Sequence, residues 1–315
     1  MRKQLLSLLK LALSLGLLLL LFHFFDFGES WAALRQMDVR YFLGAFLLFL
    51  LGIVLRAVRW RFLLDALAVS VPFHRLVYLY LAGAFFNAFL PSGFGGDAVK
   101  TYELARHSHR VSESLGTVLV DRLSGLIVLF VAGLLALPFV YRALPRQEAI
   151  LLLAASTGGL VAVWVLFQQR LAKRLLRLIP KRFRGGLESL YQAIHTCGTQ
   201  ALWKALAVSV VFNMVLFLMN HLVALALDTS VPFLYFVAFM PAISLSMLLP
   251  SLGSLGTREG AYVLLFGTAG VPEPLAIAMS LTCYLINVLT GLIGGVLYAI
   301  NALSDLRVAR ETKPR

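Results

Sequence analysis

The stretch Leu90–Lys100, LPSGFGGDAVK, decides how this chain is read. It ends an apolar run that starts at Leu76, and it brings three glycines, a proline, an aspartate and a lysine together where the hydropathy up to that point calls for lipid. Backbone of that kind survives at membrane depth only where protein or a watery cavity satisfies its amides. A second stretch, LPSLGSLGTREG at Leu249–Gly260, repeats the pattern after the apolar run Leu234–Leu249. Both runs are short for a spanning helix, which needs roughly 17 to 25 residues. They read as half-helices that turn back.

Composition sets the surroundings. Hydrophobic residues make up 60% of the 315, charged residues 14%, and the mean hydropathy is +0.86. This is an all-α polytopic membrane protein by composition, expected as one membrane domain over 1–315 with no separate soluble catalytic unit. The net charge of +13 sits in short segments between apolar runs, so it reads as topology and contact with anionic lipid and not as nucleic-acid binding. Cys197 and Cys283 have neither disulfide nor metal-ligand spacing, and His107 with His109 lacks further ligands, so no metal or cofactor is expected.

Long apolar runs occur at Leu5–Phe25, Tyr41–Leu55, Leu115–Tyr141, Ile150–Phe167, Ala201–Leu227 and Pro274–Leu303. The first follows Arg2, Lys3 and Lys10 but lacks a good cleavage context, and is expected to be a retained span. The segment Gln168–Lys204 carries +7, Leu55–Arg75 carries +3 and the tail carries +2, all expected on the cytoplasmic side. If the two short runs also crossed, the +7 segment would face outward. Six spans plus two re-entrant helical hairpins put every loop on its expected side, with both termini cytoplasmic in a bacterial-type inner membrane. Within 168–200, leucines at helical spacing beside basic residues predict a pair of interfacial amphipathic helices, broken near Pro180 and at Gly185-Gly186.

The chain also repeats itself. SVPF at 70–73 precedes LPS at 90–92 with sixteen residues between, and SVPF at 230–233 precedes LPS at 249–251 with fifteen between. LSGLI at 123–127 and LTGLI at 289–293 then follow in the same order. Two repeats of opposite orientation, 1–141 and 150–303, are expected.

Polar groups cluster at the two turns. In the first these are Asn87, Ser92, Gly93, Gly95, Gly96, Asp97 and Lys100; in the second, Ser251, Gly253, Gly256, Arg258 and Glu259; Asp121 and Arg122 lie a turn into a long span. Glycine allows close backbone approach and positive φ, and the helix that starts after such a turn offers free amides to an anion. One reading has Lys100, Arg122 and Arg258 contacting a lipid phosphate while Asp97 and Glu259 balance charge or carry a proton. The other has these acids and bases pairing to hold the hairpins, with nothing transported. Recurrence at both turns favours the first. Arg56, Arg59 and Arg61 around Trp60 read as interfacial anchors, and Asn220 and His221 as interhelical hydrogen-bonding groups.

RAVRWRFLL (56–64), NAFLPSGFGGDAVK (87–100), DRLSGL (121–126) and LPSLGSLGTREG (249–260) resemble the lysylphosphatidylglycerol synthase transmembrane-region family, the flippase-like membrane domains, over essentially the whole chain. In the best-understood members of that family the membrane domain precedes a soluble aminoacyl-transferase domain and is thought to move the lipid product between leaflets. Here the sequence ends at Arg315, so lipid synthesis is not implied. The resemblance implies a non-enzymatic lipid translocator for an anionic phospholipid or polyprenyl-linked lipid. The alternatives are a non-transporting partner of a lipid-biosynthesis enzyme and, less favoured for want of paired acids at a membrane face, a membrane transferase. No Walker motif is present.

Overall fold

The computed structural model describes residues 32–89, 95–108, 111–168, 181–248 and 256–311. The expected span Leu5–Phe25, both Leu-Pro-Ser turns with Ser92, Gly93, Ser251 and Gly253, and the basic stretch 169–180 lie outside them. Among the described residues all regular structure is helical. In chain order these are α1 (Val39–Ala66), α2 (Phe73–Phe89), α3 (Gly95–Ser108), α4 (Val111–Val140), α5 (Arg146–Phe167), α6 (Lys181–Ala226), α7 (Phe233–Ser246), α8 (Thr257–Thr268) and α9 (Glu273–Glu311).

Among the described residues, five helical stretches are long and apolar enough to cross a membrane: Val39–Ala66, Glu113–Ala143, Arg146–Val165, Tyr191–Ala226 and Glu273–Asn301. They coincide with five of the six runs read as spans. α1 is longer than its apolar run, since Asp38 caps its start by accepting from Arg40 N at 2.8 Å and the helix continues to Ala66. Arg56, Arg59 and Arg61 therefore stand on a helix and not in a loop.

Each SVPF segment begins a half-helix in the same way. At the end of α1, Ala68 turns to φ 54° and Val69 N donates to Leu64 O at 3.0 Å; at the end of α6, Asp228 turns to φ 53° and Thr229 N donates to Ala224 O at 2.9 Å. These are left-handed helix stops with the carbonyls satisfied. Pro72 and Pro232 then start α2 and α7, with Arg75 N and Tyr235 N each donating to the proline carbonyl at 3.0 Å. Proline suits this place because its missing N–H has no intrahelical partner in any case.

α2 and α3 form a hairpin, as do α7 and α8. α1 runs along α6, while α2 lies against α9 and α7 against α4, so each half-helix packs on the long helix of the other half. Small residues bring these backbones together, the common means of helix association where lipid removes the hydrophobic drive. A Cβ on Gly294 would strike the Leu81 carbonyl, and one on Gly133 would strike Pro241. Around α7 and α8 the rings of Phe236, Phe239, Tyr262 and Phe266 fill the interior at 5.1–5.2 Å centroid separations from Phe266. Leu43, Leu47, Leu51 and Val54 on α1 are exposed at helical spacing and form a lipid-facing stripe.

The amphipathic segment departs from expectation where it is described. α6 runs unbroken through Gly185-Gly186 and bends instead at Gly198, where φ is 72°. Its first part is docked, not merely interfacial. Ala193, Ile194 and Cys197 are buried among α1, α2 and α4 residues, and Gly116 of α4 touches the Ser189 carbonyl.

Candidate functional site

A cavity of about 260 Å³ opens where the first hairpin meets α1, α4 and α6, with Ser244 of α7 and Asn287 of α9 completing its wall. Of the residues expected at a site, Asn87, Asp97, Lys100, Asp121 and Arg122 line it. Their convergence follows from helix geometry: Asp97 and Lys100 are one turn apart at the start of α3, and Asp121 and Arg122 face them from α4.

Two ionic networks organise the cavity. Asp97 accepts from Lys100 Nζ at 2.8 Å and from Arg122 Nη1. Asp121 accepts from Arg59 Nε at 2.6 Å and from the Tyr80 hydroxyl. Arg59 also donates to Ser209 Oγ at 3.0 Å, and Lys100 Nζ stands 4.3 Å from the Tyr80 ring centre. Among the described residues the wall carries four cations, Arg56, Arg59, Lys100 and Arg122, against two carboxylates, Asp97 and Asp121. The excess is two positive charges inside a largely apolar bundle.

Arg56 supplies the uncommitted charge. Its guanidinium lies 5.2 Å from the Tyr80 ring centre and 5.4 Å from that of Phe212, and its buried Nε has no hydrogen-bond partner. Among the described residues no carboxylate is within ion-pair distance of it. The reading of Arg56, Arg59 and Trp60 as interfacial anchors is corrected here. Arg59 is 3% exposed and Trp60 fully buried, its Nε1 donating to Thr117 Oγ1 at 3.2 Å, while Arg61 is an exposed residue 3.7 Å from Asp65.

The second set of site candidates lies elsewhere. Glu259, 0% exposed, accepts from Arg258 at 3.0 Å, from Ser280 Oγ at 2.8 Å and from Gly256 N at 2.6 Å, so it also caps α8. Arg258 Nε donates to Ser280 at 2.7 Å. This pair is buried, hydrogen-bonded and outside the cavity wall, which corrects the expectation that Arg258 joins Lys100 and Arg122 at one phosphate. Nearby, the Tyr262 hydroxyl donates to Asn220 Oδ1 at 2.6 Å, the interhelical bond expected of Asn220.

The two turn glycines do different work. Gly256 has φ 90°, a conformation costly for any residue with a Cβ. Gly96 is needed for approach: its N donates to Asn87 Oδ1 at 2.7 Å, and a Cβ there would strike the Gly83 carbonyl. Gly95 is buried at the start of α3. Among the described residues no group of three or more His, Cys, Asp or Glu side chains could hold a metal.

A family model described as the lysylphosphatidylglycerol synthase TM region matches residues 7–295. A UPF0104 membrane protein of Pyrococcus horikoshii is 24% identical over 301 residues, covering 85% of this chain and 89% of the relative. Two UPF0104 membrane proteins of Methanothermobacter thermautotrophicus are 24% and 25% identical, covering 82% and 91% of this chain and 85% and 92% of the relatives.

Proposed function

We propose that this chain, which belongs to the lysylphosphatidylglycerol synthase transmembrane-region family, is a lipid translocator that moves an anionic lipid between leaflets without altering it covalently. The observation that carries the reading is the polar cavity with two excess positive charges, enclosed by helices long enough to cross a membrane. Buried charge of that kind is costly unless it serves a cavity or a partner. An anionic headgroup supplies the missing countercharge, while acyl chains stay against the exposed apolar faces. The crossed packing of α2 on α9 and α7 on α4 supports two repeats of opposite orientation, the architecture in which substrate sites lie near the midplane at the repeat interface. We place the protein in a bacterial-type cytoplasmic membrane with both termini inside.

The test is leaflet exchange of fluorescent lipids in vesicles containing the purified protein. Anionic lipids are expected to exchange faster than in protein-free vesicles, and Arg122→Gln to slow them. Exchange no faster than in protein-free vesicles, across anionic phospholipids and polyprenyl phosphates, removes the translocator reading.

A further inference from the structure

We infer, resting on the translocator reading and naming its cargo, that the cavity takes the phosphate of a phosphomonoester in preference to that of a phosphodiester. Three observations lead there.

The first is charge. Arginine keeps its proton at any ordinary pH, so the excess is not relieved by deprotonating Arg56 or Arg59. Both carboxylates are already engaged, Asp97 by Lys100 and Arg122, Asp121 by Arg59 and Tyr80. A phosphodiester brings one negative charge and leaves one cation uncompensated in a low-dielectric site, which is costly. A phosphomonoester brings close to two above its second pKa of about 6.

The second is the set of donors. The rings of Tyr80 and Phe212 contact the Arg56 guanidinium but accept none of its Nε hydrogen, so a forked donor remains for an oxyanion. Asn87 accepts from Gly96 N through its Oδ1, which leaves its Nδ2 as a donor on the same wall, with the Ser244 hydroxyl contributed by the second half. A monoester presents three unesterified oxygens to such a set and a diester presents two.

The third is size. At about 260 Å³ the cavity falls below the range of about 300 to 1,000 Å³ common for small-molecule sites. It suits a bare phosphate with a few waters better than a headgroup carrying sugar or aminoacyl-glycerol.

The experiment compares exchange of phosphatidic acid, a monoester, with that of phosphatidylglycerol, a diester of the same acyl chains, in vesicles containing the full chain. At about pH 8 phosphatidic acid is expected to exchange about tenfold faster, the ratio that 1.4 kcal/mol gives. The preference should shrink by about pH 5.5, where the monoester carries nearly one charge. Arg56→Gln should bring the ratio of the two rates toward one, and Arg56→Lys, which keeps the charge, should hold it above one. Inorganic phosphate should slow exchange of phosphatidic acid by competing for the same donors.

Equal exchange of both lipids, or a preference untouched by Arg56→Gln in a variant with wild-type thermal stability, overturns this inference and leaves the translocator reading standing. Inorganic phosphate raising thermal stability while neither lipid exchanges would make the free ion the ligand, and would overturn both.

Discussion

Glu259 and Arg258 are adjacent in sequence and paired in space, and every strong donor around the carboxylate is accounted for. Removing one member of such a pair strands the other in an apolar interior. Glu259→Gln is therefore expected to lower stability by about 3 to 5 kcal/mol, and the double variant Arg258→Gln with Glu259→Gln to recover most of it, as read by thermal unfolding of the purified protein. Leaflet exchange should recover with stability in the double variant, because this pair is outside the cavity wall. At Gly256, where φ is 90°, alanine should cost about 1 to 3 kcal/mol through backbone strain alone. The acids and bases at 97, 100, 121 and 122 were legible in the sequence because ionisable groups inside apolar runs stand out at helical spacing. Arg56 and Arg59 were not, because a base at the end of an apolar run has the same appearance whether it snorkels to the interface or turns inward. Only the neighbours decide between the two, and Asp121 is 62 residues from Arg59.

Between elements the contacts depend on absent side chains. Gly96 stands against Gly83, Gly133 against Pro241, and Gly291 within 3.2–3.4 Å, counting from an added Cβ, of the Ala84–Phe85 backbone. Gly96→Val is expected to unseat α3 from α2 and to separate Asp97 and Lys100 from the rest of the cavity. Exchange should be lost while the protein still inserts and is recovered from the membrane in normal yield. Normal exchange would show that the Gly83–Gly96 contact does not position the site. The half-helices and the SVPF starts could be read from the chain, since proline and the Leu-Pro-Ser turns are local signals. The break in α6 could not. Gly185-Gly186 looks weaker than Gly198 by composition, yet the helix passes through the pair, and Ser189, Ala193 and Cys197 just beyond it are buried. Tertiary packing overrides the modest helix penalty of glycine, about 1 kcal/mol each.

For the whole molecule, orientation follows from which side the basic segments face. In a variant with Cys197 and Cys283 replaced by alanine, single cysteines at Ser108 and Gln147 are expected to react with an impermeant maleimide from the cytoplasmic and outer sides respectively. Outer labelling at Ser108 would remove the first re-entrant hairpin. Loop-charge parity is the ground for that expectation, while the sequence carried the crossed packing of the halves only as three short echoes in order. What it could not carry is how tightly the halves are clasped. α2 meets α9 at Gly294, where the Leu81 carbonyl leaves no room for even a methyl group, and at Gly291, which stands against the Ala84–Phe85 backbone. Side chains can yield and slide past one another; backbone against backbone cannot. The α2–α9 seam therefore behaves as a fixed rail, and because Gly96 of α3 stands on the Gly83 backbone in the same way, the parts left free to move on the proposed translocator reading are side chains, the Asp97–Arg122 link among them.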